Sequence, residues 1–348
     1  MPPASSPPGT RATNTRWRWR APCRRCEVTS QTRSPWRLNI IGPFLLVALI
    51  WGSTWFVIKD QLGAVPPSWS VAYRFVFAAV GMFVLAVWRG QGRWGGLHLP
   101  WQGQLLALCI GAAQFSFNFN FVYRAEVHLT SGIVAVLFGL LMLPNALLAR
   151  IFLGQPITRR FLIGTAIGVA GIAMLLLHEA MEAPPHGQVA RGIFYVAIGI
   201  FGASAANVLQ ASDTARRTPM LTLLAWAMAW GALIDVIFAW ATAGPPAFPE
   251  SPRYWGGVLY LGLIGSVVTF PLYFGLIREL GAGRAAYNGV LVPVVAMVLS
   301  TLFEGYRWSA LAAGGAVLAI AGLLVALRGR TAPQPAAEAE STARNPAR

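Results

Sequence analysis

Two ionisable residues lie well inside long apolar stretches of the chain, Arg74 and Asp235. An ionised side chain at the centre of a membrane helix costs about 2.5–3.5 kcal/mol on insertion scales, so each needs a physical reason to be there. Arg74 shares a helical face with Ala78 and Gly81, and Asp235 shares one with Gly231. Small residues mark surfaces that face other helices rather than lipid. The pattern predicts a common interior for the two charges, where they form a pair or make separate contacts to a zwitterionic substrate.

Each charge also has a purely structural interpretation. The long apolar stem of Arg74 would let its guanidinium reach the headgroups at the nearer membrane face. A hydrogen bond to a neighbouring helix would account for Asp235 without any substrate. The sequence leaves these alternatives open, although it favours a functional role for Asp235.

Uncharged polar residues form a second group of candidate substrate contacts. Gln114 and Asn118 follow one helical face, and Asn207 lies on a similar stripe in the second half of the chain. Amide stripes most often join helices, but along a substrate path they would bind a desolvated ligand. Ser53 and Thr54 either contribute to such a path or bond back to carbonyls of their own helix.

Aromatic and terminal residues complete the candidates. Most tryptophans stand near the ends of apolar segments, where aromatic rings anchor helices at the membrane interface. Trp51 lies well inside the first segment and is predicted to form an apolar cavity wall. Lys59 and Glu304 end their segments, so both are predicted to be solvated helix termini.

The composition places these residues in a membrane protein. The chain has 348 residues, of which 56% are hydrophobic and 11% charged. Soluble domains carry about 25% charged residues, so this chain is predicted to lie in a bilayer. The net charge of +15 comes largely from arginines in the first 37 residues and at segment ends. Such positions are typical of topology signals, and no basic, aromatic groove for nucleic acid is predicted.

Apolar segments of helix length follow one another along the chain. Each can cross a hydrocarbon core of about 30 Å as a helix. The segments span residues 38–58, 68–88, 101–123, 129–152, 161–177, 192–210, 220–243, 255–277, 285–303 and 310–327. The sequence therefore predicts an all-α integral membrane protein with ten transmembrane helices. Residues 1–37 and 329–348 lack apolar periodicity and are predicted to be disordered tails.

Landmarks of the first half recur in the second half. Pro144 and Gln155 correspond to Pro293 and Glu304, and both positions shift by 149 residues (293 − 144 and 304 − 155). A long period of this kind indicates an internal duplication.

The two predicted repeats, residues 38–178 and 192–328, contain five helices each. Because five is odd, the second repeat enters the membrane from the opposite side, and the repeats are predicted to be inverted. Inverted repeats are typical of carriers that present one central site to either side in turn. Cations are more frequent in the short loops on the side of the termini, which predicts that both termini are cytoplasmic.

A resemblance to a known family rests on several of these residues. The block Trp51-Gly52-Ser53-Thr54-Trp55 with Lys59, followed by Pro67 and Tyr73-Arg74-Phe75, resembles the EamA-type exporters of the drug/metabolite transporter superfamily. The ends of both halves resemble the same family, at residues 152–157 with their following glycines and at 293–304 with theirs. Two positions depart from the family pattern: Gln155 replaces the usual acidic residue, and the second half lacks the W-G-S block.

The resemblance covers residues 38–328 and implies a fold of two EamA repeats. It also implies efflux of small amphipathic metabolites, amino acids or drugs. The driving force implied is proton exchange or the substrate's own gradient.

Two other classes of membrane protein are alternatives. A membrane-embedded enzyme would need clustered acidic residues or paired histidines, and the sequence contains neither on a membrane segment, nor a GxSxG motif. A channel would need a ring of repeated polar residues around a pore. The sequence therefore predicts a secondary transporter of the inner membrane, with a small-molecule substrate, no catalytic residue, no metal and no cofactor. It does not specify the substrate, the coupling ion or the direction of transport, and it leaves a homodimer open.

Overall fold

The computed structural model describes residues 38–91, 97–154, 156–182, 188–280 and 288–328. Within these ranges the secondary structure is helical, apart from turns and one isolated bridge between Leu62 and Val65. The predicted all-α class is thereby confirmed. The predicted tails, residues 1–37 and 329–348, and Gln155 lie outside the described residues.

Ten principal helices can be labelled in chain order. Their bounds are α1 Leu38–Gln61, α2 Pro67–Ala86, α3 Trp101–Glu126, α4 Ser131–Phe152, α5 Arg159–Glu182, α6 Val189–Gln210, α7 Met220–Ala243, α8 Pro252–Leu276, α9 Asn288–Phe303 and α10 Ala310–Arg328. In the described part of the chain, α1 to α8 are long and apolar enough to cross a membrane, and α9 and α10 are shorter apolar helices. A short helix, Asp213–Arg217, joins α6 to α7.

Two helices widen at equivalent positions of the two halves. The backbone of α3 is π-helical at Gly111–Asn118, and that of α8 is π-helical at Tyr260–Val268. The two segments begin 149 residues apart (260 − 111), the offset that also relates Pro144 to Pro293. The duplication therefore extends to the backbone. Because π-helical turns frequently mark functional sites, the middles of α3 and α8 are places to look for one.

The equivalent prolines have different effects on their helices. In α4 a 3₁₀ turn at Gly139–Leu141 precedes Pro144, whereas α9 continues as an α-helix through Pro293. Proline cannot donate a hydrogen bond to the carbonyl four residues earlier, which loosens the preceding turn. The two repeats are therefore distorted differently at this position.

Helix ends of the two halves meet at one end of the bundle. The Gln61 amide donates to the Tyr254 carbonyl (3.2 Å), and the Trp69 indole donates to the Gly244 carbonyl (3.3 Å). The C-terminal ends of α1 and α7 therefore lie beside the N-terminal ends of α2 and α8, as expected when successive helices run in opposite directions. This end of the bundle is called the Lys59 end below, after the residue near the end of α1.

Glycines bring α5 and α10 into backbone contact. A Cβ atom added at Gly164 would lie 2.2 Å from the backbone nitrogen of Ala326, and one added at Gly171 would lie 2.3 Å from that of Ala319. No side chain fits at these distances, so the contact requires glycine. Close packing on small residues is a main source of helix association in membranes, and it fixes α5 against α10.

Replacing one of these glycines should separate the two helices. A Cβ at Gly322 would lie 2.2 Å from the backbone nitrogen of Gly168, whereas at Gly314, on the same helix, the nearest atom is the flexible Met174 Cε at 3.4 Å. We expect Gly322→Ala to destabilise the protein by about 1–3 kcal/mol. Gly314→Ala should be neutral or stabilising by up to about 1 kcal/mol through helix propensity. Thermal unfolding of both variants in detergent measures the difference, and equal unfolding temperatures would contradict the contact.

Candidate functional site

The Arg74 side chain points into the bundle, where only 2% of it is exposed. Its Nη2 donates to the Ser266 hydroxyl of α8 at 3.4 Å, and its guanidinium lies 4.3 Å from the centre of the Phe119 ring. Tyr123 and Glu126 of α3 interact with it electrostatically. Its Nε and Nη1 make no hydrogen bond to a described residue. Arg74 is therefore an interior cation with unused donors, rather than one that extends to the headgroups.

Asp235 lies equally deep on α7. Its Oδ1 accepts a hydrogen bond from the Asn120 amide at 2.7 Å, while its Oδ2 makes none to a described residue. The same amide nitrogen donates to the Ser116 carbonyl at 3.0 Å, and Arg124 donates to the Asn120 carbonyl at 3.1 Å. The carboxyl group is therefore held by an ordered amide from α3, and the Ser116 side chain of the same helix also interacts with it.

Arg74 and Asp235 do not form an ion pair. The salt bridge that the described residues contain joins Arg253 to Asp60 at 2.6 Å. Tyr123 instead interacts with both Arg74 and Asp235. The two charges thus belong to one buried polar layer where α2, α3, α7 and α8 meet. Whether either contacts substrate stays a prediction.

Glu126 belongs to the same layer and is not among the residues that the sequence predicted. This residue ends α3, is completely buried, and has two carboxylate oxygens without a hydrogen bond to a described residue. The predicted third segment ended at residue 123, so Glu126 was assigned to a loop. The three-residue spacing from Asn120 through Tyr123 to Glu126 was the available signal, because it places all three on one helical face.

Lys59 is not the solvated terminus that the sequence predicted. Its ammonium group is half-buried and donates to the carbonyls of Glu126 and Leu129, the latter at 2.8 Å. These carbonyls lie at the end of α3 and in the turn before α4. Lys59 therefore ties α1 to the turn between α3 and α4.

Glu304 likewise has specific partners. Its carboxylate accepts from the backbone N–H of Ser131 at 3.0 Å, from the Ser131 hydroxyl, and from the Ser300 hydroxyl at 3.1 Å. Ser131 is the first residue of α4, where a carboxylate is stabilised by free backbone donors and by the helix dipole. Glu304 therefore joins the end of α9 to the start of α4, and the predicted solvated terminus is corrected.

Trp51 lies half-buried between α1 and α8. Its indole donates to the Thr269 hydroxyl at 2.8 Å, and its ring centre lies 4.9 Å from that of Tyr273 and 5.6 Å from that of Phe270. The hydrogen bond fixes the ring against the second half of the chain. Its predicted role as a cavity wall remains a prediction.

Ser53 and Thr54 both bond back to their own helix. The Ser53 hydroxyl donates to the Ile50 carbonyl and the Thr54 hydroxyl to the Trp51 carbonyl, at 2.8 and 2.7 Å. Ser53 also lies 2.7 Å from the Tyr260 hydroxyl, at the start of the π-helical segment of α8. The structural interpretation therefore applies to Thr54, and Ser53 additionally connects the two halves.

The three predicted amides separate into two places. Gln114 and Asn118 are buried in the π-helical segment of α3, and a Cβ added at Gly199 of α6 would lie 3.4 Å from Asn118 Oδ1. Asn207 is exposed on α6, and its amide lies 3.4 Å from Asn145 Oδ1 of α4. Two of the amides therefore belong to packed interfaces, whereas Asn207 pairs with an amide that the sequence analysis did not select.

An apolar cavity of about 330 Å³ lies apart from the polar layer, between α4, α5, α9 and α10. Its walls include Met142, Ile172, Pro293, Met297 and Leu323. None of the predicted site residues lines it. In the part of the chain described, no group of three or more histidine, cysteine or acidic residues could hold a metal ion.

The fold and the buried polar layer are those of a multi-helix membrane protein of the transporter class. A family model described as "EamA-like transporter family" matches residues 40–177 and again residues 190–328. The chain therefore belongs to this family and carries two copies of its repeat. The resemblance predicted from the sequence is confirmed.

Named relatives and a solved structure agree with this assignment. "Uncharacterized inner membrane transporter YedA" from Escherichia coli K12 is 28% identical over 273 residues, which cover 77% of this chain and 84% of that protein. A "Probable terminal-alkyne amino-acid exporter" from Streptantibioticus cattleyicolor is 25% identical over 297 residues, covering 82% and 92%. One crystal structure matches with a TM-score of 0.60 at 21% identity, over 84% of this chain and 99% of that one, and supports the fold.

The buried cation gives a test that separates function from folding. Burying a charge that has no ion pair costs free energy, and an apolar side chain at the same position removes that cost. We therefore expect Arg74→Leu to keep or raise the unfolding temperature in detergent and to abolish transport in proteoliposomes. A variant that unfolds early would instead assign Arg74 a structural role, and full transport activity would remove it from the candidate site.

Proposed function

We propose that this protein is a secondary transporter that exports small molecules by alternating access. The observation that carries the proposal is the polar layer itself. Arg74 and Glu126 from the first repeat and Asp235 from the second are fully buried and keep unused hydrogen-bonding atoms. Ionisable groups in membrane helices are costly, and in transporters they mark substrate and ion pathways.

The arrangement of the repeats supports alternating access. Each family match spans five of the labelled helices, and successive helices run in opposite directions at the Lys59 end. An odd number of helices in each repeat gives the two copies opposite orientations. Such inverted repeats can rock against each other about a central site and expose it to either side.

Polar contacts support a closed Lys59 end in this conformation. Glu304 of the second repeat bonds to Ser131 of the first, and Arg253 of the second makes two hydrogen bonds to Asp60 of the first, at 2.6 and 2.8 Å. These bonds cross between the repeats, so opening this end requires breaking them. At the opposite end, the exposed Asn207 supplies polar groups accessible to solvent.

The similar proteins and the charges of the loops support a direction of transport and a class of cargo. With both termini in the cytoplasm, as the loop cations predict, the Lys59 end faces outward. A relative named as an amino-acid exporter supports outward transport of a small amphipathic molecule. Trp51 with Tyr273 supplies an aromatic surface and the polar layer supplies charge, a combination suited to such a molecule.

Counterflow in proteoliposomes tests this function directly. Vesicles containing the purified full chain are loaded in turn with unlabelled amino acids, nucleosides or cationic drugs, and uptake of the labelled compound is followed. We expect transient accumulation of at least one compound, because a carrier exchanges its substrate without net flux. Absence of counterflow for all classes, or single-channel currents from the same protein, would contradict the proposal.

The closed end gives a second prediction. In a variant with Leu129→Cys, which places a thiol in the buried turn before α4, and the three native cysteines replaced by serine, labelling by a membrane-impermeant maleimide reports opening of the Lys59 end. We expect Glu304→Ala to increase the labelling rate about tenfold, because the loss of a charge-assisted bond worth about 1.5 kcal/mol shifts the equilibrium by that factor.

Glu250→Ala is the matched control, since Glu250 is an exposed acid on the loop before α8. It should leave the labelling rate unchanged. Equal rates in the Glu304 and Glu250 variants would show that Glu304 does not hold this end closed.

A further inference from the structure

Among the described residues, no cation forms a salt bridge with the Asp235 carboxyl group. The side chain is fully buried, and the salt bridge found in the described residues, between Arg253 and Asp60, does not include it. The cation of α2, Arg74, bonds to Ser266 and lies over Phe119. The cation of α3, Arg124, donates to Asn120 and lies 5.1 Å from the centre of the Phe238 ring. Neither guanidinium therefore forms an ion pair with Asp235.

Glu126, the other buried carboxyl of the layer, differs in this respect. It interacts with the cations Lys59 and Arg74 and with the acid Glu304. Two cations thus act electrostatically on Glu126. In the described part of the chain, the titratable group that acts on Asp235 is the Tyr123 hydroxyl. An isolated buried carboxylate is strongly disfavoured, and a neutral carboxylic acid is not. Charge balance therefore favours a bound proton on Asp235, the buried carboxyl group on which no cation of the described residues acts.

The hydrogen bonds indicate which oxygen carries that proton. The Asn120 side chain accepts from Arg124 through its oxygen (3.4 Å) and donates through its nitrogen to the Ser116 carbonyl and to Asp235 Oδ1. Its partners thus fix the orientation of the amide. Asp235 Oδ1 accepts from Asn120, the role of the C=O oxygen of an acid, so we assign the O–H group to Oδ2, with the Ser116 side chain beside the carboxyl group.

We propose that Asp235 is the proton-binding site of the transport cycle, and that protons are exchanged for a cargo that bears a cationic group. The inference rests on the proposed function. When the site opens to one side, the Oδ2–H bond breaks, the proton passes to water and the carboxylate pairs with the cationic group. When the site opens to the other side, the cargo leaves and a proton from water re-forms the O–H bond. One proton moves for each cargo molecule, in the opposite direction.

Infrared spectroscopy of the full chain in lipid tests the site without any cargo. A protonated carboxyl gives a C=O stretching band that shifts in D₂O and disappears on deprotonation. We expect this band near neutral pH in the wild type, its loss in Asp235→Asn, and its retention in Glu126→Gln and in the exposed control Asp213→Asn. In Asp235→Glu, which keeps a carboxyl on the same helix, the band should shift in frequency. A band unchanged in Asp235→Asn would overturn the assignment.

Flux measurements test the exchange. Proteoliposomes are given ethidium, a cationic drug, or L-leucine, a zwitterion, with and without a pH gradient. We expect the gradient to raise wild-type accumulation severalfold, Asp235→Asn to lose this gradient-driven accumulation, and the exposed control Asp213→Asn to keep it. Gradient-driven accumulation by Asp235→Asn at the wild-type level would overturn the proposal.

The two proposals fail in different ways. Wild-type counterflow that ignores the pH gradient would overturn the proton site and leave the carrier function standing. Absence of flux for every compound would contradict the carrier function, and the infrared band alone would then decide the proton site.

Discussion

The cost of keeping charge away from water is the constraint on which this structure depends. Arg74, Glu126 and Asp235 are buried where α2, α3, α7 and α8 meet, and their compensation is incomplete. Within the described residues, two Arg74 nitrogens and one Asp235 oxygen have no hydrogen bond of good geometry, although Tyr123 and Ser116 lie beside them. Separating these groups from their few partners costs less free energy than disrupting a fully hydrogen-bonded network. The polar layer is therefore a place where the helices can rearrange. A layer selected only for stability would be apolar.

Two kinds of helix contact surround this layer. Between α5 and α10, glycine allows backbone to touch backbone, and a single added methyl group would separate the helices. At the Lys59 end, by contrast, the repeats are joined by side-chain hydrogen bonds such as that from Ser131 to Glu304. Contacts of the first kind suit a fixed scaffold, because they have no alternative partner. Contacts of the second kind can exchange protein for water, as a gate requires.

The sequence predicted the scaffold better than the site. Apolar segment length located the helices, and the buried charges Arg74 and Asp235 were placed in the interior because small residues share their faces. Glu126 was missed, since α3 continues beyond the last apolar residue of its segment. Lys59 and Glu304 are predicted to be solvated because the groups that tie them to other helices, two carbonyls for Lys59 and Ser131 for Glu304, lie far away in the sequence. The π-helical turns in α3 and α8 were also unpredicted, because they depend on packing between helices rather than on residue type.

In the proposed cycle the Lys59 end must open for cargo to cross, and a reversible cross-link tests this requirement most directly. A Cβ atom at Gly132 of α4 would lie 3.0 Å from that of Ser300 of α9 and 2.6 Å from Met297 Sδ. A disulfide needs about 3.5–4.5 Å between Cβ atoms, so it forms once the two helices separate slightly and the Met297 side chain moves aside. In a variant free of native cysteines, with Gly132→Cys and Ser300→Cys, we expect oxidation to reduce counterflow to the level of empty liposomes and reduction to restore it. Full counterflow by the oxidised, cross-linked protein would contradict the account.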